Sequence, residues 1–193
     1  PTNSKVNEEN CPAGWGIAIY ETETEDITLG LFGPVETKHN ATHFLGAEFG
    51  SNNTGELTAI CEGLKWIISN EQTTKPAAFY YDSKYAAKIT TGEYKAESNK
   101  YLAAKAKQLL QQAQTKRTIR FEHIKGHSDD VKNDAADELA NKGALRQTCR
   151  NTEDWNNIKQ THPEISEKKK ETERERENKA ALWRLKLSEI RTQ

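Results

Sequence analysis

The stretch Glu56–Ile68, ELTAICEGLKWII, decides the class of fold. Its apolar residues Leu57, Ile60, Cys61, Leu64, Ile67 and Ile68 recur every three or four positions, the period of one face of an amphipathic α-helix. The chain before it follows a different period. Residues 12–20, PAGWGIAIY, open with turn-forming residues and then set Ile17 and Ile19 against Ala18 and Tyr20, the alternation of a strand. Glu21 to Asp26 is a polar turn and Ile27 to Leu31 the expected return strand. After a polar connection containing Pro34 and Asn40, Phe44 to Phe49 gives a third short strand. Strands so close in sequence predict an antiparallel meander.

Beyond the helix the two periods alternate. Ala77 to Tyr81 is a short apolar and aromatic run, a strand with Asp82 at its tip. A helix is predicted over Ser83–Ile89, with Thr91-Gly92 as its stop. Leu102, Ala106, Leu109, Leu110 and Ala113 mark another helix. Thr118–Ile124 reads as a fifth strand and Asn133–Leu145 as the last helix of the domain. This order predicts an α/β (α+β) fold, a mixed sheet with helices covering its faces.

Composition narrows the class further. A chain of 193 residues has room for one domain and an appendage. Its 34% hydrophobic and 30% charged content makes a polar chain, and a net charge of -1 confines any nucleic-acid-binding surface to a local patch. The three cysteines, Cys11, Cys61 and Cys149, lack the spacing of a zinc site or disulfide framework. They point to a reduced, intracellular setting, cytoplasm or nucleus. No stretch is long and apolar enough to span a membrane, and no secretory signal is legible. Past about Thr148 the character changes. Residues 167–179, EKKKETERERENK, are almost wholly charged, and Leu182, Leu185 and Ile190 form a possible apolar stripe. The expected organisation is therefore a domain over 1–148 and a charged, partly helical tail over 149–193.

The acids stand where sheet proteins put function. Asp82 ends a strand, Glu56 begins a helix, and Asp137 lies in the final helix, beyond a loop that carries His127. Ligands gather at the carboxyl ends of strands in open α/β sheets. Carboxylates converging without basic partners repel one another, and a bound divalent cation such as magnesium removes that repulsion. Two such ions roughly 4 Å apart can activate water and stabilise the leaving oxygen in phosphodiester hydrolysis.

Four blocks carry a family resemblance: Pro12-Ala-Gly-Trp-Gly, Ser51-Asn-Asn-Thr-Gly-Glu-Leu-Thr-Ala, Tyr81-Asp-Ser-Lys-Tyr, and Lys125-Gly-His with Asn133 through Asp137-Glu-Leu-Ala. With these the chain resembles ribonuclease H of type 1, including the related domains of reverse transcriptases. The resemblance implies a mixed five-stranded sheet, its first three strands antiparallel, with helices on both faces. It also implies Mg²⁺-dependent cleavage of the RNA strand of an RNA–DNA hybrid, with Mn²⁺ as a substitute. Glu56, Asp82 and Asp137 match three of the family's four metal-binding acids, Asp134 being the competing candidate one helical turn before Asp137. His127 matches the loop histidine that moves protons or helps product leave. Asn52, Asn53 and Asn99 match positions that reach the hybrid's minor groove, and Ser51 is read as a donor to a DNA-strand phosphate. Recognition by shape, phosphates and 2′-hydroxyls suits such a duplex. Lys84, Lys95, Lys100, Lys105 and Lys107 are candidates for contacts to the nucleic-acid backbone. The implied partner is an RNA–DNA hybrid bound by a monomer, which borrows surface from other domains of a longer polyprotein.

Two departures qualify the resemblance. The family's first strand ends in an Asp that bridges both metals, and counting back without gaps from Pro12 places Asn3 there. An amide keeps the shape and loses the charge, so the alternative reading is a hybrid-binding module with impaired cleavage. The chain also begins at Pro1, so a piece of a longer protein is expected, with the residues of the central first strand lying upstream.

Overall fold

The computed structural model describes residues 12–21, 26–70, 73–124 and 131–161. Asn3, Cys11, His127 and the charged run 167–179 lie outside the described residues, as does the strand expected to end at Asn3. The elements run β1 (Gly14–Tyr20), β2 (Ile27–Pro34), α1 (Asn52–Ser69), β3 (Ala77–Tyr81), α2 (Lys84–Thr91), α3 (Lys100–Lys116), β4 (Ile119–His123), α4 (Val131–Ala144) and α5 (Thr152–Thr161). The chain divides into two compact units, with the boundary between Asn151 and Thr152. Among the described residues, no helix is long and apolar enough to cross a membrane.

β1 and β2 pair antiparallel, from Gly14 opposite Pro34 to Tyr20 opposite Ile27, with an irregularity between Ile19 and Tyr20. β3 and β4 pair parallel, Ala77 opposite Ile119 through Tyr81 opposite His123. The mixed character of the sheet is therefore present. Among the described residues it is divided into two two-stranded sheets that share no ladder, and the expected count of five strands is not reached.

The strand expected over Phe44–Phe49 is absent, and this part of the meander is a correction. Its backbone N–H groups go to a local turn and to the N-cap residue of α3 rather than to a sheet: the Phe44 N–H donates to Ala41 O at 3.1 Å. The Glu48 N–H donates to Asn99 Oδ1 at 2.8 Å, and Glu48 Oε1 accepts the Lys100 N–H at 3.3 Å, so Glu48 supplies an acceptor at the first turn of α3. Gly46, at φ +107, lies directly against the backbone of Tyr101 and Leu102. A period-two pattern here served a loop docked on a helix end.

The glycines of Gly14-Trp-Gly16 read as turn residues in the sequence, yet they lie inside β1. A methyl at Gly14 would overlap Ala140 O and Ala144 N, and one at Gly16 would overlap Ala140 N and Ala136 O. α4 thus rests on bare strand backbone on this face. On the other face Trp15 is buried, and Ile17 reaches to 3.5 Å from the Cβ position of Gly63 in α1. Helices cover both faces of β1–β2 as expected. In β3–β4, Phe79 lies against Gly63 of α1, while Ala78, Tyr80, Arg120 and Glu122 on the opposite face are exposed.

α1 carries the centre of the core. Leu57, Ile60, Cys61, Leu64 and Ile67 are buried, as are Leu102, Ala106, Leu109, Leu110 and Ala113 of α3 and Ala86, Ala87 and Ile89 of α2. α2 stops at Gly92, left-handed at φ 88, as the Thr91-Gly92 stop required. After α4 the chain returns to β2, where Phe32 and Cys149 exchange both backbone hydrogen bonds at 3.0 and 2.9 Å. Arg150 then lies over the Trp15 ring, 5.3 Å from its centroid. α5 was not expected as an element. Its acidic first turn, Glu153 and Asp154, followed by Trp155 and Ile158 at helical spacing, was the available signal.

The α4–β1 contact makes a direct prediction. Gly16→Ala should lower unfolding free energy by at least about 1–3 kcal/mol, the usual cost of overpacking a filled interior. Urea denaturation monitored by circular dichroism would measure it, and an unchanged midpoint would contradict the close approach.

Candidate functional site

Asp82 directly follows β3, where the parallel strands end; beside it the Ile124 N–H donates to Tyr81 O at 2.8 Å. Glu56 stands in the first turns of α1, next to Gly55, whose Cβ position is blocked by Gly14 O. Asp137 stands in α4, next to Ala136, whose carbonyl lies against Gly16. Two helices pressed on the same strand thus bring their acids toward the end of β3. The carboxyl of Glu56 is held above the usual range by burial first, then by the charges of Asp82 and Asp137, while the Ser83 hydroxyl opposes the rise. Of the two candidate acids of α4, Asp137 is the one whose charge acts on Glu56.

A second acid on the same helix shows how unusual this environment is. Glu62 is buried, where Glu56 is half-buried, but Glu62 is held by Lys65 at 2.7 Å and Arg150 at 3.1 Å. Glu56 has one carboxylate oxygen, Oε2, buried without a hydrogen-bond partner. Burying a charge is costly unless it is paired, and α1 pairs one of its acids and leaves the other facing two more carboxylates. Asp82 and Asp137 are both exposed, and Asp137 Oδ2 accepts a 3.4 Å hydrogen bond from Asn133 Nδ2. Among the described residues, no three His, Cys, Asp or Glu side chains converge closely enough to hold one metal ion. The acids are still close enough for Asp82 and Asp137 to perturb Glu56.

The donor chemistry nevertheless fits a hard divalent cation. The set is all carboxylate oxygen, the preference of Mg²⁺ and Mn²⁺, and it includes an orphaned, partly desolvated oxygen that a cation would satisfy. The other two members of the expected site, Asn3 and His127, lie outside the described residues.

Three of the four expected substrate contacts meet at one place. Ser51, Asn53 and Asn99 line a small pocket with Leu57 and Tyr85, and Asn53 continues into a wider cleft of about 560 Å³. Asn52 is exposed on the same first turn of α1 and lines neither. Each residue also has structural work. Ser51 is the N-cap of α1: its Oγ accepts from the Thr54 N–H at 3.2 Å, and its own N–H donates to Thr54 Oγ1 at 2.7 Å. Asn99 is left-handed at φ 53 and largely buried, with Oδ1 committed to Glu48. Of the candidate lysines, Lys95 lines the wider cleft. Ser83 and Tyr85 were not singled out from the sequence, although both stand in the quoted block after Asp82. Ser83 occupies the N-cap position of α2 without capping it, which leaves its hydroxyl to Glu56.

The described residues thus define an α/β domain with an acidic site at the carboxyl end of its parallel strands. The RNase H family model matches residues 4–145, and the chain belongs to that family. It is similar to a protein of Bordetella avium (strain 197N) named Ribonuclease H, 28% identical over 141 residues, which covers 68% of this chain and 80% of that protein. Among solved structures it is similar to the N-terminal RNase H domain of a Mycobacterium tuberculosis protein, solved as a fusion with maltose-binding protein. The identity is 18%, the TM-score 0.48, and the match covers 69% of this chain and 91% of that one.

The strain on Glu56 has a definite pH signature. Its folded pKa lies above the ordinary 4.5, so its ionised form opposes folding, and the penalty grows as pH rises from about 4.5 through the raised value. Glu56→Gln should therefore raise the thermal midpoint at pH 7 in the absence of divalent cations. At pH 4, where both forms are neutral, the gain should vanish. Melting curves at the two pH values would test this, and an equal gain at both would remove ionisation as the cause.

Proposed function

We propose that the chain is an RNA–DNA hybrid ribonuclease that hydrolyses the RNA strand by a two-metal-ion mechanism. The observation that carries the reading is Glu56, a half-buried carboxylate with a buried, orphaned oxygen and two further acids pressing on it, in a chain of the RNase H family. Perturbed carboxylates in such settings are characteristic of functional sites.

In this reading Glu56, Asp82 and Asp137 hold Mg²⁺ or Mn²⁺, with the Asn3 position as the fourth contact. Bound divalent ions supply an activated water and stabilise the departing RNA oxygen. The chain's own residues do the rest. Ser83 steadies the Glu56 carboxyl, and His127 carries protons beside the acids. Asn52, Asn53, Asn99 and Ser51 engage the hybrid through its minor groove and a DNA-strand phosphate, which positions the RNA backbone over the carboxylates. The products are a 3′-hydroxyl and a 5′-phosphate, as the family resemblance implies.

Asn3 supports a second reading, a hybrid-binding module with impaired cleavage, because an amide in place of a bridging carboxylate removes a charge that would hold both ions. One assay separates the readings: labelled RNA–DNA hybrid with Mg²⁺ or Mn²⁺, cleaved by the chain and by Asn3→Asp. Cleavage by both supports the nuclease. Cleavage by the Asp form alone supports the impaired module, and cleavage by neither contradicts the nuclease reading. In whichever form cleaves, Glu56→Gln, Asp82→Asn and Asp137→Asn should each reduce the rate by more than about a hundredfold. Loss of groups merely supporting a metal ligand already costs roughly 10–100-fold.

A further inference from the structure

The wider cleft beside the acids does not have the charge of a phosphate-binding surface. It begins at Asn53, one helical turn before Glu56, and at Tyr85, three residues past Asp82. Its far side is the turn after α2, where Glu93, Tyr94, Lys95 and Glu97 line it. Two carboxylates thus face one ammonium at a place where a bound duplex would bring phosphates.

The turn is built around a further lysine. The left-handed Gly92 sends the chain back on itself, and the N–H groups of Gly92 and Tyr94 both donate to Lys88 O, at 3.1 and 3.0 Å. That places Glu93 and Tyr94 against the Lys88 side chain. Lys88 Nζ lies 3.3 Å from Glu93 Oε2 and 4.8 Å from the centroid of the Tyr94 ring. The other oxygen of the same carboxylate, Glu93 Oε1, accepts from the Thr91 hydroxyl at 3.3 Å. Both oxygens of Glu93 are therefore held, one of them on Lys88. The Glu93 side chain is 60% exposed, and an ion pair so exposed adds little to stability. Its larger effect is to neutralise Lys88, a cation that sits directly behind the cleft-lining Glu93 and Tyr94.

We propose that Glu93 limits the affinity of this site for nucleic acid by holding the Lys88 ammonium on Tyr94 and away from a substrate phosphate. The inference rests on the hybrid-nuclease reading of the acids. Within this cleft, hybrid binding then rests on Asn53, Tyr85 and Lys95, beside the contacts proposed for Ser51, Asn52 and Asn99. Removing the Glu93 charge releases Lys88 to the cleft as one more phosphate contact.

The test is equilibrium binding of a fluorescent RNA–DNA hybrid across a salt series, with Ca²⁺ replacing Mg²⁺. The full chain is compared with Glu93→Gln, Lys88→Gln and the double variant. Glu93→Gln keeps the shape of an exposed side chain, and thermal melts check that all four proteins fold alike. The expected result is that Glu93→Gln binds severalfold more tightly at low salt. Its slope of log affinity against log salt should steepen by about 0.9, the value for one added phosphate contact. The double variant should return to the parent affinity. An unchanged or weaker Glu93→Gln overturns the inference, as does a gain that persists without Lys88, which would be a general charge effect. A parent chain that binds hybrid no better than the matching single strands overturns the nuclease reading and this inference together.

Discussion

The site depends on backbone packed directly on backbone at β1. Gly14 and Gly16 present no side chain to α4, and Gly143 of α4 presents none to the carbonyls of Gly33 and Trp15. On the other helix Gly55 meets Gly14 O in the same way. Two helices therefore approach one strand more closely than ordinary side chains would permit. The residues next to those contacts inherit their positions: Glu56 follows Gly55, and Asp137 follows Ala136. Acids more than eighty residues apart in sequence act on each other because small residues on three elements let the backbones close.

That closeness has an electrostatic cost, and the chain treats the two acids that α1 turns inward, half-buried Glu56 and buried Glu62, in opposite ways. Glu62 lies among Lys65 and Arg150, and Arg150 is itself held over Trp15. Its charge is balanced within the fold, and it helps tie the return segment at Cys149 and Arg150 to the domain. Glu56 has Asp82 and Asp137 instead, with the Ser83 hydroxyl opposing the rise. Stability alone would not select that arrangement, since an unpaired buried charge opposes folding.

The surroundings of the acids are graded in the same manner. Ser51 and Asn99 line the pocket beside Glu56, and both are fixed by their own contacts, one as a helix cap and one as the anchor of the Gly46–Glu48 loop. These pocket-lining groups are thus set by secondary structure rather than left on free loops, which keeps their geometry reproducible. Farther out, the turn after α2 closes on its own lysine. The cleft passes from rigid amides near the acids to a self-neutralised rim.

Much of this was written in the chain itself. The three- and four-residue period of Glu56–Ile68, the alternation in β1–β4 and the Thr91-Gly92 stop fix local structure, because burial on one face of a helix or strand demands those periods. The acids at the start of α1, the end of β3 and the middle of α4 are equally legible, since their type and order need no coordinates. Other features required the tertiary structure. Gly14 and Gly16 look like turn residues until α4 is seen lying on them. Phe44–Phe49 alternates like a strand, yet its Glu48 N–H goes to Asn99 at the start of α3. Glu56 and Glu62 are the same residue on the same helix, and only their neighbours from β3, α4 and the Arg150 segment distinguish the unpaired acid from the paired one. Periodicity reports which face of an element is buried; what lies against that face, and with what charge, is decided by residues far away in the sequence.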